Sequence, residues 1–204
     1  MKNVLKAVAA ATIMAVGFAQ NASATPILHF YANLIGANEV PPSGSPGSGF
    51  ADVYLDPGLN TMEVVVTFSG LLGTTTASHI HCCLASPFLS GVNAGVATTT
   101  PTFTGFPLGV TSGSYDHVFD MTLASSYNPA FVTANGGTTA TAESALFAGI
   151  GAGESYLNIH TNLFGGGEIR GFLIAPEPAT IAVFGFGLAG LCFARRKRLS
   201  QKRV

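Results

Sequence analysis

Tryptophan is absent from this 204-residue chain, only 9% of its residues are charged, and cysteine occurs three times. With no indole, the chain lacks the flat platform on which sugar rings commonly stack. The shortage of positive charge is sharper than the total suggests. Of nine Lys and Arg residues, all but Arg170 lie within the first six residues or the last ten. Between residues 25 and 175 one cation faces nine carboxylates (Glu39, Asp52, Asp56, Glu63, Asp116, Asp120, Glu143, Glu154 and Glu168), a net charge of −8 with neutral histidines, against −1 for the whole chain. Such a domain cannot neutralise a phosphate backbone, which excludes nucleic-acid binding. No Gly-x-Ser-x-Gly elbow is present, and Gly165-Gly166-Gly167 is not followed by the Lys-Ser/Thr of a phosphate loop. Cys82 and Cys83 are adjacent and Cys192 lies near the C-terminus. Trans-linked neighbours have Cα atoms ~3.8 Å apart, below the ~4.4–6.8 Å of a relaxed disulfide, so stapling by a Cys82–Cys83 bond is the weaker expectation. Free thiols, an inter-chain bridge or a metal contact stay open.

The basic residues missing from the middle mark the two ends. Lys2 and Lys6 precede an apolar stretch from Ala7 to Ala19 and an A-x-A site, Ala22-Ser23-Ala24, the layout of a signal peptide cut after Ala24. At the other end Pro176-Glu177-Pro178 leads into an apolar run over 179–194 and then Arg195-Arg196-Lys197-Arg198. About sixteen residues are just long enough for a membrane-spanning helix, and the four cations hold its end in the cytoplasm. Motif, span and basic stop in this order resemble the PEP-CTERM sorting signal of Gram-negative bacteria. The resemblance implies export, recognition by an exosortase-type membrane protease, transient membrane attachment through the C-terminal helix, and delivery to the cell surface or extracellular matrix.

The intervening domain, residues 25–175, reads as all-β. Apolar and β-branched runs occur at 27–34, 49–55, 61–69, 77–82, 115–123, 156–161 and 168–174, separated by turn-rich stretches such as 41–47 and 165–167. Asp56-Pro57-Gly58 is a hairpin turn signal. Seven short strands at this spacing predict a β-sandwich. Short helices are expected at 128–134, where Asn128 precedes Pro129 as a cap, and at 141–148, where Ala142, Ala145 and Leu146 recur at helical spacing. The stretch from Leu84 to Gly113 is too long for a turn and reads as a surface excursion or functional loop.

Three segments carry the polar residues of interest: Asn38-Glu39-Val40-Pro41-Pro42, His79-Ile80-His81, and Tyr156-Leu157-Asn158-Ile159-His160-Thr161 running on to Gly167-Glu168-Ile169-Arg170-Gly171. In this order they resemble the CHRD domain, over about residues 28–174. The resemblance implies an extracellular, immunoglobulin-like or Greek-key β-sandwich and no established catalytic residues. Strand periodicity adds a placement. His79 and His81 share a face, as do Tyr156, Asn158 and His160, while Ile80, Leu157, Ile159, Ile169 and Leu173 point to the core. The three histidines and Arg170 then lie on outer faces and meet if their strands are neighbours.

Two uses of that cluster are open. Three imidazoles, His79, His81 and His160, with Cys83 at matching parity as a fourth ligand, make a zinc or copper site. The His-x-His pair with a later lone His is also similar to Cu/Zn superoxide dismutase, but five histidines in the whole chain are too few for that two-metal set. Alternatively the cluster is a structural polar network in which Arg170 pairs with Glu39 or Glu168 and Asn158 joins them, with no cofactor. The function expected from the whole is a non-enzymatic, exported surface or matrix protein of structural or adhesive role, associating with exopolysaccharide or matrix. A metal-binding or redox protein is the alternative.

Overall fold

The long central hairpin shows how patterning builds the sheet. In β2 (Ser48–Asp56) Ala51, Val53 and Leu55 are buried, and in β3 (Thr61–Ser69) so are Met62, Val64, Val66 and Phe68. Alternate residues project to one side of a strand, so each strand presents a single apolar face. The register Asp56↔Thr61 leaves a four-residue turn. There the Asp56 side chain accepts from the backbone N–H of Gly58 at 2.9 Å and Leu59 at 3.0 Å, as the Asp-Pro-Gly signal implies.

The computed structural model describes residues 25–84 and 92–176; the expected signal peptide, the apolar run 179–194 and the basic tail lie outside them. Besides β2 and β3 the strands are β1 (Leu28–Ile35), β4 (Thr75–His81), β5 (Gly113–Asp120), β6 (Tyr156–Thr161) and β7 (Ile169–Phe172). All seven expected strands are present, and they form one antiparallel, curled sheet in the order β4-β6-β7-β1-β2-β3-β5. This differs from the two-sheet sandwich expected from the spacing. Hydrogen bonding is continuous from β4 to β5, and strand spacing alone carries no information on whether a sheet divides. No helix among the described residues is long and apolar enough to cross a membrane.

Two helices cover part of the core. Asn128 caps α1 (Pro129–Ala134) by accepting from the Ala130 N–H, with Pro129 in the first turn. Thr138 and Thr141 form a capping box at the start of α2 (Thr139–Gly151), which buries Ala142, Leu146 and Ile150. The segment between β4 and β5 sends Phe103 and Phe106 into the same core as Ile80 and Leu146.

Strand β6 departs from alternation. Leu157 and Ile159 face the core, as expected, together with Ile80, Ile169 and Leu173, yet Tyr156 and Asn158 on the opposite face are buried too. Loops cover that second face. One of their anchors is Glu168, which is fully buried. Its Oε1 accepts from Ser45 Oγ at 2.6 Å and the Leu72 N–H at 2.5 Å, and its Oε2 from the Gly73 N–H at 3.0 Å and Thr161 Oγ1 at 2.7 Å. Burial pushes the carboxyl pKa up, but the four donors more than offset this and hold it below the ordinary carboxylate range.

Loss of this carboxylate strands four donors from three separate segments. Glu168→Ala is therefore expected to lower unfolding free energy by about 3 kcal/mol or more. Glu168→Gln should cost nearly as much, because an NH2 would face two donors. Urea denaturation of both variants checks this, and a Gln variant as stable as wild type would remove the carboxylate from the role of anchor.

Candidate functional site

Register places the polar residues of the second face in rows. His79 pairs with Asn158, which pairs with Arg170; His81 pairs with Tyr156, which pairs with Phe172. Directly opposed residues on neighbouring strands project to the same side, so His79–Asn158–Arg170 and His81–Tyr156–Phe172 cross β4, β6 and β7 side by side. His160 is opposite the small Ala77, which leaves its ring free to lean toward His79. The ring centroids are 5.2 Å apart for His79–His160, 5.9 Å for His79–His81 and 6.0 Å for His81–His160. The expected outer face is thus a covered one: His79 and His81 are buried, and His160 is half-buried.

Each imidazole is oriented by one backbone carbonyl. His79 Nε2 donates to the Pro101 carbonyl at 2.7 Å, His81 Nδ1 to Ala94 at 2.8 Å, and His160 Nδ1 to Gly165 at 2.9 Å. A carbonyl only accepts, so these nitrogens carry the hydrogen. That fixes His79 Nδ1, His81 Nε2 and His160 Nε2 as bare lone pairs. All three are shielded from solvent and have no hydrogen-bond partner. One nitrogen from each ring lies within 4.8 Å of the other two, so some point lies within roughly 2.8 Å of all three, compared with ~2.0–2.1 Å for a formed Zn–N bond. Burial lowers the pKa of all three rings, that of His81 to about 4, which keeps them neutral. Tyr156 stacks on His81 at 4.8 Å and completes the wall on that side.

Beside the imidazoles lies a second group. Arg170, 1% exposed, donates through Nε to the Asn38 carbonyl and through Nη1 to Asn93 Oδ1 at 2.7 Å, with its guanidinium 4.5 Å over the Tyr156 ring. Its carboxylate neighbour is Glu39, at 3.9 Å from Nε; Glu168 is engaged elsewhere. Glu39 also accepts from Asn158 Nδ2 at 3.4 Å. These contacts are long, and burial outweighs both the Arg170 charge and the Asn158 amide, so the Glu39 pKa rises to about 7. A cavity lined by Glu39, Val40, Pro42, Phe164, Gly166 and Gly167 opens beside it, with a volume of about 300 Å³.

Cys83 is outside the cluster. Strand β4 ends at His81, so alternation does not extend to residue 83, and the Cys83 sulfur is bonded to that of Cys82. This bond was the weaker expectation from the sequence, yet the two sulfurs are joined, with the Cα atoms 3.0 Å apart. Both sulfurs sit directly over Gly149 of α2, where a Cβ would collide with them. His29 lies apart, bonded to Asp52 at 2.7 Å, and His117 packs against Phe119 at 4.6 Å on β5. Sequence reading could not reveal the three carbonyls that orient the imidazoles, nor Asn93, since backbone acceptors and loop amides leave no pattern. Of the sorting residues only Pro176 is described, and it is exposed; Glu177, Pro178, Arg195, Arg196, Lys197 and Arg198 lie outside the described residues.

Glu39 and the histidines give opposite pH dependences. Between about pH 4.5 and 7 the folded chain keeps a proton on Glu39 that the unfolded chain has released, so this group's contribution to stability falls as pH rises through that window. The histidines, with depressed values, lose stability as pH falls below 6.5. Comparing wild type with Glu39→Gln cancels the histidine part. The variant is expected to gain on wild type by up to about 3 kcal/mol from pH 4.5 to 7.5. Metal-free thermal or urea unfolding across that range measures it, and a difference independent of pH would show Glu39 ionised throughout.

Residues 30–173 match the CHRD domain family, and residues 175–198 match the PEP-CTERM protein-sorting motif. No curated protein and no solved structure matches the chain. The sorting motif implies an exported protein processed by an exosortase-type system. With most of its length matched, from β1 through the polar face to the end of β7, the chain belongs to the CHRD domain family.

Proposed function

We propose that this exported CHRD protein is a metal-binding protein whose trihistidine cluster takes zinc or copper. One observation carries the reading: each of three clustered imidazoles has a solvent-shielded nitrogen without a hydrogen-bond partner, and each ring brings a nitrogen within 4.8 Å of the other two. Buried acceptors without donors cost about 1–3 kcal/mol each, and a shared electron-pair acceptor removes all three penalties together. The carbonyls of Pro101, Ala94 and Gly165 supply the outer contacts that orient metal-ligating histidines and raise their basicity. A purely structural network would pair these nitrogens with donors. The Arg170–Glu39 group has that character, and it lies beside the imidazoles instead of between them.

A structural or adhesive role at the cell surface or in the matrix is compatible with such a centre. It is supported by the sorting motif and by an acidic domain suited to a solvated surface. Association with exopolysaccharide belongs to this second reading. If it holds, deleting residues 176–204 sends the protein into the medium and weakens cell–cell cohesion, whereas cohesion unchanged by the deletion argues against adhesion. Immunoblots of cell fractions and an aggregation assay measure these outcomes.

Elemental mass spectrometry on the purified exported chain is expected to give about one zinc or copper per molecule, lost in His81→Ala. A metal bound at a hundredfold excess over its dissociation constant adds about 2.7 kcal/mol to stability, so a chelator should lower the melting temperature of wild type and leave the variant unmoved. A metal-free wild type that also fails to take up added zinc or copper, with the variant merely less stable, would make the histidines structural.

A further inference from the structure

We infer that the ion this centre selects is copper in its monovalent state, a conclusion that rests on the metal-binding reading above. Two features of the site point there independently. The first is coordination number. Among the described residues the cluster offers three ligand atoms and no carboxylate or thiolate, and both sulfurs of the adjacent Cys82–Cys83 pair are tied to each other. Zinc is almost always four-coordinate in proteins and completes a three-ligand set with water. Here the three nitrogens are each shielded from solvent. Monovalent copper is satisfied by three nitrogens in a plane and needs no further ligand.

Charge is the second. All three donors are neutral, and the nearest formal charge described beside them is a cation, Arg170. The Arg170 guanidinium lies 4.5 Å from the Tyr156 ring centroid, and that ring stacks on His81 at 4.8 Å. The carboxylate of the same face, Glu39, is directed to Asn158 and Arg170. Desolvation cost grows with the square of an ion's charge, so a site with no anionic ligand and a cation two layers away discriminates against a dication. Imidazole suits both copper and zinc, so the ligand type does not choose between them, and coordination number and charge decide.

The experiment is a competition on the full-length exported chain, isolated without thiol reductants so that the Cys82–Cys83 disulfide stays closed. Anaerobic titration with monovalent copper, kept reduced by ascorbate against a chromophoric bicinchoninate competitor, is set beside titration with divalent zinc against a zinc indicator at the same pH. Expected are one copper per chain, a dissociation constant ~1000-fold or more below that for zinc, and an X-ray absorption shell of three nitrogen neighbours without sulfur. His160→Ala, at the half-buried edge of the cluster, should lose ~100-fold or more in copper affinity while its near-ultraviolet circular dichroism matches wild type; if that variant misfolds, the sulfur-free three-nitrogen shell of wild type decides. Zinc bound as tightly as copper, or sulfur in the copper shell, overturns the selection while the metal centre stands. Failure of both ions to bind wild type overturns the centre itself.

Discussion

Burial of β6 on both faces is the constraint on which the rest of this structure depends. An ordinary half-exposed strand can leave its second face to water, and its polar side chains then need no particular partners. Strand β6 has Leu157 and Ile159 in the core on one side and Tyr156 and Asn158 sealed under loops on the other. A buried polar group without a partner costs more than most single contacts return. The loops that cover this face are therefore chosen by what they can offer it: carbonyls from Ala94, Pro101 and Gly165 for the imidazoles, and the Asn38 carbonyl and Asn93 amide for Arg170.

Glu168 and Glu39 show how the same fold treats two buried carboxylates differently. Glu168 receives four short hydrogen bonds and stays ionised, which makes it a clamp between loops. Glu39 has one long amide contact and a guanidinium at 3.9 Å, too little to offset its desolvation, so its proton is held to about pH 7. Donor count, more than depth, separates the two. The only cation between residues 25 and 175 is also not where a simple ion-pair argument would put its strongest contacts. Arg170 spends its donors on a carbonyl and an amide and lays its plane over Tyr156, and the carboxylate is a more distant neighbour.

Strand positions and facing were legible because period-two alternation is a local property. Ile80, Leu157, Ile159, Ile169 and Leu173 declare the core side, and from them the parity of His79, His81 and His160 follows. Helix α1 announces itself through Asn128-Pro129. What was not legible is long-range. Nothing in β4 or β6 says that they are neighbours, that β7 follows, or that one sheet curls in place of two stacking. The same limit hid most of the covering of the second face: the Gly165 carbonyl lies 5 residues from His160, but the other groups lie 13 to 132 residues away in sequence from the side chains they satisfy. Cys83 failed as a ligand for a local reason: the parity argument extended the strand two residues beyond its end at His81.

The run Gly165-Gly166-Gly167 reads in the sequence as a turn and nothing more. In the fold its three consecutive residues meet three parts of the polar face. The Gly165 carbonyl accepts from His160, the Gly166 carbonyl is 3.4 Å from Asn158 Nδ2, and the Gly167 Cα lies against the Glu39 carboxylate and the Asn158 amide. Gly167 has φ of +130°, and a Cβ there would collide with Asn158 Nδ2. Glycine is required because backbone, instead of a side chain, has to approach this closely. A longer side chain at residue 167 would separate β6 from the Glu39 loop and loosen the turn that sets the His160 tautomer. The turn that seems generic in sequence is thus the link through which the ion-pair group and the imidazole group hold a common geometry.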